Sequence, residues 1–171
     1  RIAYIDIDAH HGNGVQDAYY QDDRVLFVSI HESGKTLYPW SGFENEIGIE
    51  LGKGYTINIP LLQETDDEAY EWIFKEVVTP AVNSFSPTVV ITTIGTDTHK
   101  NDPLSSLSLT NNGMVSVMEE IRRFCNNLLL LGGGGYDMHS STHSWSRLWA
   151  TANRIDIIPD FLSVLGGSFI G

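Results

Sequence analysis

The sequence is poor in cysteine. Its 171 residues include one, Cys125, so no disulfide can form within the chain and no second thiol is available as a metal ligand. Small secreted domains often depend on disulfides, whereas a reducing compartment keeps thiols free. We therefore expect a cytoplasmic protein in which Cys125 is a small core residue on a helix.

Long apolar runs and positive charge are also scarce. No run of about eighteen apolar residues occurs, and no basic segment leads into an apolar one, so the sequence predicts neither a membrane helix nor a signal peptide. Lys and Arg number 10 against 22 for Asp and Glu, which gives a net charge of −12. This charge repels nucleic acid phosphates and anionic membranes and attracts cationic molecules. We expect no nucleic acid and no membrane partner.

The remaining composition is that of a globular domain. Apolar residues make up 42% and charged residues 19% of the chain, which suffices for one core and is short for two domains. We interpret residues 1–171 as part of a single domain. Because Arg1 opens directly onto a segment typical of a central strand, we expect this domain to be incomplete at its N-terminus.

Apolar segments alternate with amphipathic ones about four times along the chain. The predicted strands lie at residues 4–7, 24–30, 54–61, 88–97 and 127–131, and the predicted helices at 15–20, 66–85 with a break at Pro80, 110–124, and around Trp145. Short links between such segments predict an open parallel α/β sheet with helices on both faces. The second and last strands are almost continuously apolar, which is typical of burial on both faces. Segment 31–52 is predicted to be loop, and Pro60 to end the third strand.

Candidate metal ligands follow two of these strands. Asp8 and His10 come directly after the first strand, two residues apart, so on extended backbone their side chains point the same way. Asp97 ends a second apolar strand. Ligands of open parallel sheets collect at the carboxyl ends of the strands, and carboxylates with an imidazole suit zinc. The pattern predicts a metal site, with turn or capping roles for these residues as the alternative.

Two carboxylates and one imidazole leave a zinc coordination position open, which is typical of catalytic sites. Tyr136 follows four glycines, where its phenol could donate to an oxyanion. Metal-assisted amide hydrolysis is the reaction class that this set favours. The set lacks a general base, because His10 is used by the metal. Asp6 lies one step deeper, where a carboxylate needs a cation or a hydrogen-bond donor.

Five segments carry a resemblance in their order along the chain. They read IDIDAHHGNGV, VLFVSIHESGKTLYPWSG, GKGYTINIPL, GTDTHKNDPLSSLSLT and LLLLGGGGYD. They resemble successive blocks of the zinc-dependent histone deacetylase superfamily, which includes acetoin utilisation proteins and acetylpolyamine amidohydrolases. The resemblance extends over residues 2–152 and implies an arginase-like parallel α/β fold.

The resemblance also implies roles for individual residues. Zinc is implied at Asp8, His10 and Asp97, with Tyr136 stabilising the tetrahedral intermediate. A potassium site is implied for the Asp6 and Ser29 side chains and for main-chain oxygens, namely those of Asp8, His10 and Ile30. Tunnel residues are implied as well, and these are Tyr38, Leu104, Gly134 and Gly135.

The implied activity is removal of acetyl groups from N-acetylated amines, with an acetylated lysine peptide or an acetylated small amine as the partner. The family's tandem His-His dyad precedes the first block, so we expect it in a missing N-terminal portion and expect the fragment alone to be inactive. Asn13 stands where many members have Asp, which suggests tuning. An acetylpolyamine amidohydrolase and a non-catalytic metal-binding or interaction fragment remain the alternatives.

Overall fold

The computed structural model describes residues 1–156, and its centre is a five-stranded parallel sheet. The strands are β1 (Ile2–Asp6), β2 (Val25–Glu32), β3 (Thr56–Leu61), β4 (Val89–Ile94) and β5 (Leu128–Gly132). Their order in the sheet is β3-β2-β1-β4-β5, and every neighbouring pair is parallel. This confirms the predicted open parallel sheet.

The helices connect these strands. They are α1 (Asn13–Tyr19), α2 (Asp67–Ile73), α3 (Thr79–Phe85), α4 (Asn111–Phe124) and α5 (Met138–Ala152), with a 3-10 turn at Glu50–Gly52 and a π-helical turn at Phe74–Val78. The π turn joins α2 to α3, and Pro80 lies in the first turn of α3. Because Pro80 has no N–H to donate to the preceding turn, the break predicted there occurs as a widened turn.

The strand order creates a switch point beside β1. From β1 the chain moves outward through β2 and β3 on one side, and then through β4 and β5 on the other. The carboxyl ends of β1 and β4 therefore flank a crevice from which the connections leave in opposite directions. Open α/β sheets bind ligands at such a crevice.

One face of the sheet carries the main apolar cluster. Ala3 and Ile5 of β1 are fully buried there, level with Val28 of β2 and Val90 of β4. Helices α2 to α5 cover this face, and their apolar residues belong to the same cluster. Residues of the predicted helix 66–85 belong to this cluster as far as Phe85.

The opposite face is more polar near the carboxyl ends of the strands. Asp6, Ser29 and His31 alternate with the core residues of β1 and β2 and are buried on this side. Helix α1 lies over it, because its buried Gln16 accepts a hydrogen bond from Asn58 Nδ2 of β3 at 2.6 Å. Helices thus occupy both faces, as predicted.

Three predicted details are wrong. Strand β2 continues through His31 and Glu32, both predicted in a loop, because β3 pairs with it as far as Leu61. Pro60 lies inside β3, which tolerates it as an edge strand of the sheet formed by residues 1–156. In β5, predicted to be buried, Leu129 and Leu131 are 50% and 37% exposed because the packed helices contact the other face. No helix within residues 1–156 has the length and apolarity needed to cross a membrane.

Candidate metal centre and active site

Asp8, His10 and Asp97 meet at the switch point of the sheet. The Nδ1 atom of His10 lies 3.1 Å from Asp8 Oδ1 and 2.9 Å from Asp97 Oδ2. One potential ligand atom from each residue lies within 4.8 Å of the other two. The structure therefore brings together the three residues that the strand-end pattern selected.

Local backbone bonds hold the triad in place. The His10 N–H donates to Asp8 Oδ1 at 2.8 Å, which closes a tight turn after β1. The N–H of Ala9 donates to Asp97 Oδ1 at 2.9 Å, and that of Gly134 donates to Asp8 Oδ2 at 2.5 Å. The turns after β1, β4 and β5 are thereby tied to one another through the two carboxylates.

The electrostatics of the triad favour a bound cation. Hydrogen bonds with Asp8 and Asp97 raise the pKa of His10 to about 10. Burial raises the pKa of Asp97, which has no exposed side-chain surface, to about 6. Burial also acts to raise the pKa of Asp8, but hydrogen bonds from His10 and from the Gly134 N–H outweigh it and lower the value. Because an imidazole ligand must be neutral, metal binding at His10 would displace this proton.

These residues fit a divalent metal ion. Two carboxylates and an imidazole nitrogen are suitable ligands for zinc and leave room for further ligands. Backbone without side chains surrounds them, since a Cβ added to Gly95, Gly133 or Gly134 would collide with the carboxylate of Asp8 or Asp97. Glycine is therefore required at these three positions, because the backbone there lies directly against the carboxylates of the triad.

Tyr136 lies beside this triad. Its ring meets the His10 ring edge-on, with 6.3 Å between the centroids, and the residue is 52% exposed. Burial, followed by the charges of Asp97 and Asp8, raises the pKa of its hydroxyl, so the phenol is protonated at neutral pH. A protonated, accessible phenol next to a metal site can donate a hydrogen bond to a ligand.

Two predicted tunnel residues lie on loops that follow different strands of the sheet. Tyr38 follows β2 and Leu104 follows β4, and they are 64% and 52% exposed. Gly134 packs against the triad itself, and Gly135 has a φ of 150° where a Cβ would meet Thr96. The exposed positions of Tyr38 and Leu104 leave their role in a tunnel as a prediction.

Asp6 and Ser29, the predicted potassium ligands, are register partners on β1 and β2. Both are buried, at 3% and 0% exposure, and burial raises the pKa of Asp6 to about 8. The Asp6 carboxylate accepts the N–H of Asp8 at 3.1 Å. A buried carboxylate of this kind is stabilised when a cation or a hydrogen-bond donor lies against it, and a potassium ion at this pair stays a prediction.

The sequence interpretation missed a buried polar network beneath the triad. The rings of His11 and His31 lie 4.8 Å apart, and His31 Nε2 donates to the Gly42 carbonyl at 2.9 Å. Burial lowers the pKa of both imidazoles, that of His31 to about 4, so both are neutral near pH 7. Contacts to Ser41 and Gly42 show that they anchor the segment between β2 and β3.

The other histidines have different neighbours from His10. His99 Nδ1 accepts the N–H of Asn101, His143 contacts Asn111, and His139 is exposed on α5. None of these contacts links an imidazole to the triad. The general base of the expected reaction therefore stays a prediction.

Fold and site together define a parallel α/β protein with a candidate metal centre at its switch point and a tyrosine beside that centre. The histone deacetylase domain family matches residues 1–152, and the chain belongs to this family. The signature resemblance noted in the sequence is thereby confirmed.

Individual relatives are similar over most of the chain. It is 41% identical to a probable histone deacetylase 1-B of Xenopus laevis, covering 91% of this chain and 32% of the relative. A solved histone deacetylase homolog from Aquifex aeolicus matches with a TM-score of 0.87, at 34% identity, covering 92% of this chain and 43% of that one.

A third relative is named for a different class of substrate. The solved acetylpolyamine aminohydrolase from Burkholderia pseudomallei matches with a TM-score of 0.83 and 27% identity, covering 90% of this chain and 45% of that one. The chain thus spans less than half the length of these relatives. The matched proteins are deacetylases and their homologs, so the chain belongs to an enzyme family.

Proposed function

We propose that the protein is a zinc-dependent amidohydrolase that removes acetyl groups from N-acetylated amines, with acetyl-lysine in peptides as the first substrate class. The observation that carries this proposal is the convergence of Asp8, His10 and Asp97, with the Tyr136 ring 6.3 Å from that of His10. Metal ligands next to a protonated phenol suit a reaction in which negative charge develops on a carbonyl oxygen.

In the proposed reaction Asp8, His10 and Asp97 hold the zinc ion, which when bound supplies a Lewis acid for the substrate carbonyl and lowers the pKa of a bound water. Tyr136 donates its hydroxyl proton in a hydrogen bond to the carbonyl oxygen, and this bond strengthens as the oxygen becomes an oxyanion. Tyr38 and Leu104 are the proposed walls for the alkyl chain of the substrate. Potassium at Asp6 and Ser29 would neutralise the buried carboxylate beneath the zinc ligands.

The proposed reaction also needs a general base, and we assign this role to none of residues 1–156. The family resemblance implies a tandem pair of histidines ahead of the first signature block, and we propose that the full-length protein contributes them from outside these 171 residues. Removal of a general base lowers rates by about 10² to 10⁴. Activity is therefore expected from the full-length protein and not from this chain alone.

The single cysteine supports a cytoplasmic location.

Acetylpolyamines are the second candidate substrates. The net charge of −12 attracts cationic molecules, and one structural relative is named an acetylpolyamine aminohydrolase. A polyamine keeps positive charge along its chain, whereas an acetylated lysine side chain is neutral. Ionic strength therefore separates the two, because screening weakens attraction of a cationic substrate.

The test is a deacetylation assay on the zinc-loaded full-length protein with an acetyl-lysine peptide and a monoacetylated diamine. Release of acetate from the peptide with the higher kcat/KM supports the first proposal. Preference for the diamine, weakened by salt, supports the second. No release from either substrate by a protein that retains one zinc per chain overturns the enzyme proposal and favours the non-catalytic alternative.

A further inference from the structure

We propose that Asp102 is a positioning residue for Tyr136. Its buried carboxylate accepts the backbone N–H of Tyr136 and so fixes the point from which the phenol extends toward the metal centre. This inference rests on the proposed function, in which the Tyr136 hydroxyl donates to the substrate carbonyl. It adds a residue that neither binds the metal nor touches the substrate.

Tyr136 depends on its backbone for its position. It follows four glycines, the last of which has a φ of 150°, so the approach to it contains no side chain that could anchor the turn. The side chain is 52% exposed, and within residues 1–156 no hydrogen bond to its hydroxyl is found. The position of the phenol is therefore decided mainly by where the main chain of residue 136 is held.

Four hydrogen bonds hold this part of the main chain. Gly134 takes part in three of them: its N–H donates to Asp8 Oδ2, and its carbonyl accepts the Thr96 N–H at 2.7 Å and the Thr96 hydroxyl at 3.4 Å. The fourth is the only one made by the backbone of Tyr136 itself among the described residues, and it joins its N–H to Asp102 Oδ2 at 2.8 Å. Asp102 is thus the anchor closest to the phenol.

Asp102 is itself held on both sides. It is 8% exposed, and its own N–H donates to the carbonyl of His99 at 2.8 Å. Its second carboxylate oxygen, Oδ1, accepts the N–H of Leu104 at 2.9 Å. One carboxylate therefore joins the loop after β4 to the turn after β5. Because the Asp102 carboxylate is itself fixed, it restricts the movement of the Tyr136 backbone that it binds.

A change at Asp102 should therefore slow the reaction without removing the metal. A misplacement of about 1 Å in a catalytic group can cost about 100-fold in rate. We expect Asp102→Ala to lower kcat about 10- to 100-fold, with a smaller change in KM. Asp102→Asn keeps one oxygen acceptor for the two N–H groups and should fall between the wild type and Asp102→Ala.

The experiment compares three single variants of the zinc-loaded full-length protein, namely Asp102→Ala, Asp102→Asn and Tyr136→Phe. A double variant carries both Asp102→Ala and Tyr136→Phe. Asp137→Asn is the matched control, because Asp137 accepts the N–H of Ser140 and makes no bond to Tyr136 N. We expect unchanged zinc content in every variant. If Asp102 acts through the phenol, adding Asp102→Ala to Tyr136→Phe should lower kcat no further.

Amide hydrogen exchange supplies a readout that needs no turnover. The peptide covering residues 132–137 should exchange faster in Asp102→Ala than in the wild type and in Asp137→Asn, because the acceptor for the Tyr136 N–H is gone. Asp102→Asn provides the same comparison should the alanine variant fold poorly.

Two results overturn the inference. One is that Asp102→Ala lowers kcat by the same factor with and without the Tyr136 hydroxyl, which indicates a general structural role. The other is wild-type turnover in Asp102→Ala while Tyr136→Phe is slow. Full turnover in Tyr136→Phe is a separate outcome, because it overturns the role that the proposed function gives to Tyr136 and with it any catalytic need for the anchor.

Discussion

The backbone N–H of Gly134 lies 2.5 Å from Asp8 Oδ2, which joins the turn after β5 to the turn after β1 across 126 positions of sequence. The contact brings main chain directly against a candidate metal ligand. A Cβ at Gly134 would collide with Asp97 Oδ2 and come within 3.2 Å of Asp8 Oδ2. The two carboxylates and this glycine therefore form one closely packed unit.

We expect Gly134→Ala to weaken metal binding about 10- to 100-fold, the range found when the surroundings of ligands are disturbed. The added methyl group displaces Asp97 or Asp8 from its present position. Zinc titration with a competing chelator measures the effect. Gly14→Ala is the control, because a Cβ there has nothing within 4 Å and Gly14 lies in α1. Equal zinc affinity in Gly134→Ala and Gly14→Ala would contradict this account.

Asp97→Ala is expected to abolish zinc retention. Asp97 is fully buried, and its two oxygens contact the His10 ring and the Ala9 N–H, so its removal takes away a ligand and an anchor together. Loss of a direct ligand should exceed the 10- to 100-fold effect of a change in the surroundings. Metal analysis after dialysis checks this. Asp137→Asn, which leaves the triad untouched, is the control, and one zinc per chain in Asp97→Ala would refute the assignment of Asp97 as a ligand.

Tyr136→Phe separates metal binding from turnover. The phenylalanine keeps the edge-on ring contact with His10 and loses only the hydroxyl, so zinc content should be unchanged. Removal of one oxyanion donor costs about 10² to 10³ in kcat. Steady-state kinetics of the full-length protein with an acetyl-lysine peptide, together with metal analysis, measure both effects. Wild-type kcat would exclude the hydroxyl as the oxyanion donor.

The sequence predicted the parallel sheet and the candidate ligands for a physical reason. Strand ends are local signals, and Asp8, His10 and Asp97 all follow apolar segments directly, so the convergence of parallel strands at one edge was enough to bring them together. The extent of β2 was not predictable in this way. His31 and Glu32 are strand residues because β3 pairs beside them, and pairing depends on distant segments.

The anchors of the site were missed for a related reason. Asp102 accepts the backbone N–H of a residue 34 positions away. A sequence does not indicate which backbone N–H a carboxylate will accept, because almost every residue type has one. His11 follows the candidate ligand His10 directly, and nothing in that pair of residues indicates a separate role for it. Its place in the buried polar network is evident only from its contacts with the His31 ring and the Gln16 side chain. Likewise, the exposure of Leu129 depends on which face the helices cover, and an apolar run does not specify that face.

Glu46 should make stability depend on pH at the acid end. Its carboxylate accepts the N–H groups of Gly42 and Phe43 at 2.9 Å and the Gln16 amide at 2.7 Å. Burial acts to raise its pKa, but these bonds outweigh burial and hold the pKa below its ordinary value of 4.5. The unfolded chain therefore takes up this proton first as the pH falls, so the stabilisation is complete above about pH 5.5 and disappears as the pH falls through the folded-state pKa.

We expect Glu46→Gln to lower the free energy of unfolding by about 1 kcal/mol at pH 7, because an amide accepts fewer of these bonds and carries no charge. The difference from the wild type should shrink between pH 5 and pH 3, where the wild-type carboxylate becomes protonated. Urea unfolding at a series of pH values measures it. Glu44→Gln, at an exposed glutamate of the same segment, is the control and should match the wild type. A difference that stays constant or grows toward pH 3 would show that the Glu46 charge does not hold this segment, and that the hydrogen bonds of His11 and His31 to Ser41 and Gly42 do so instead.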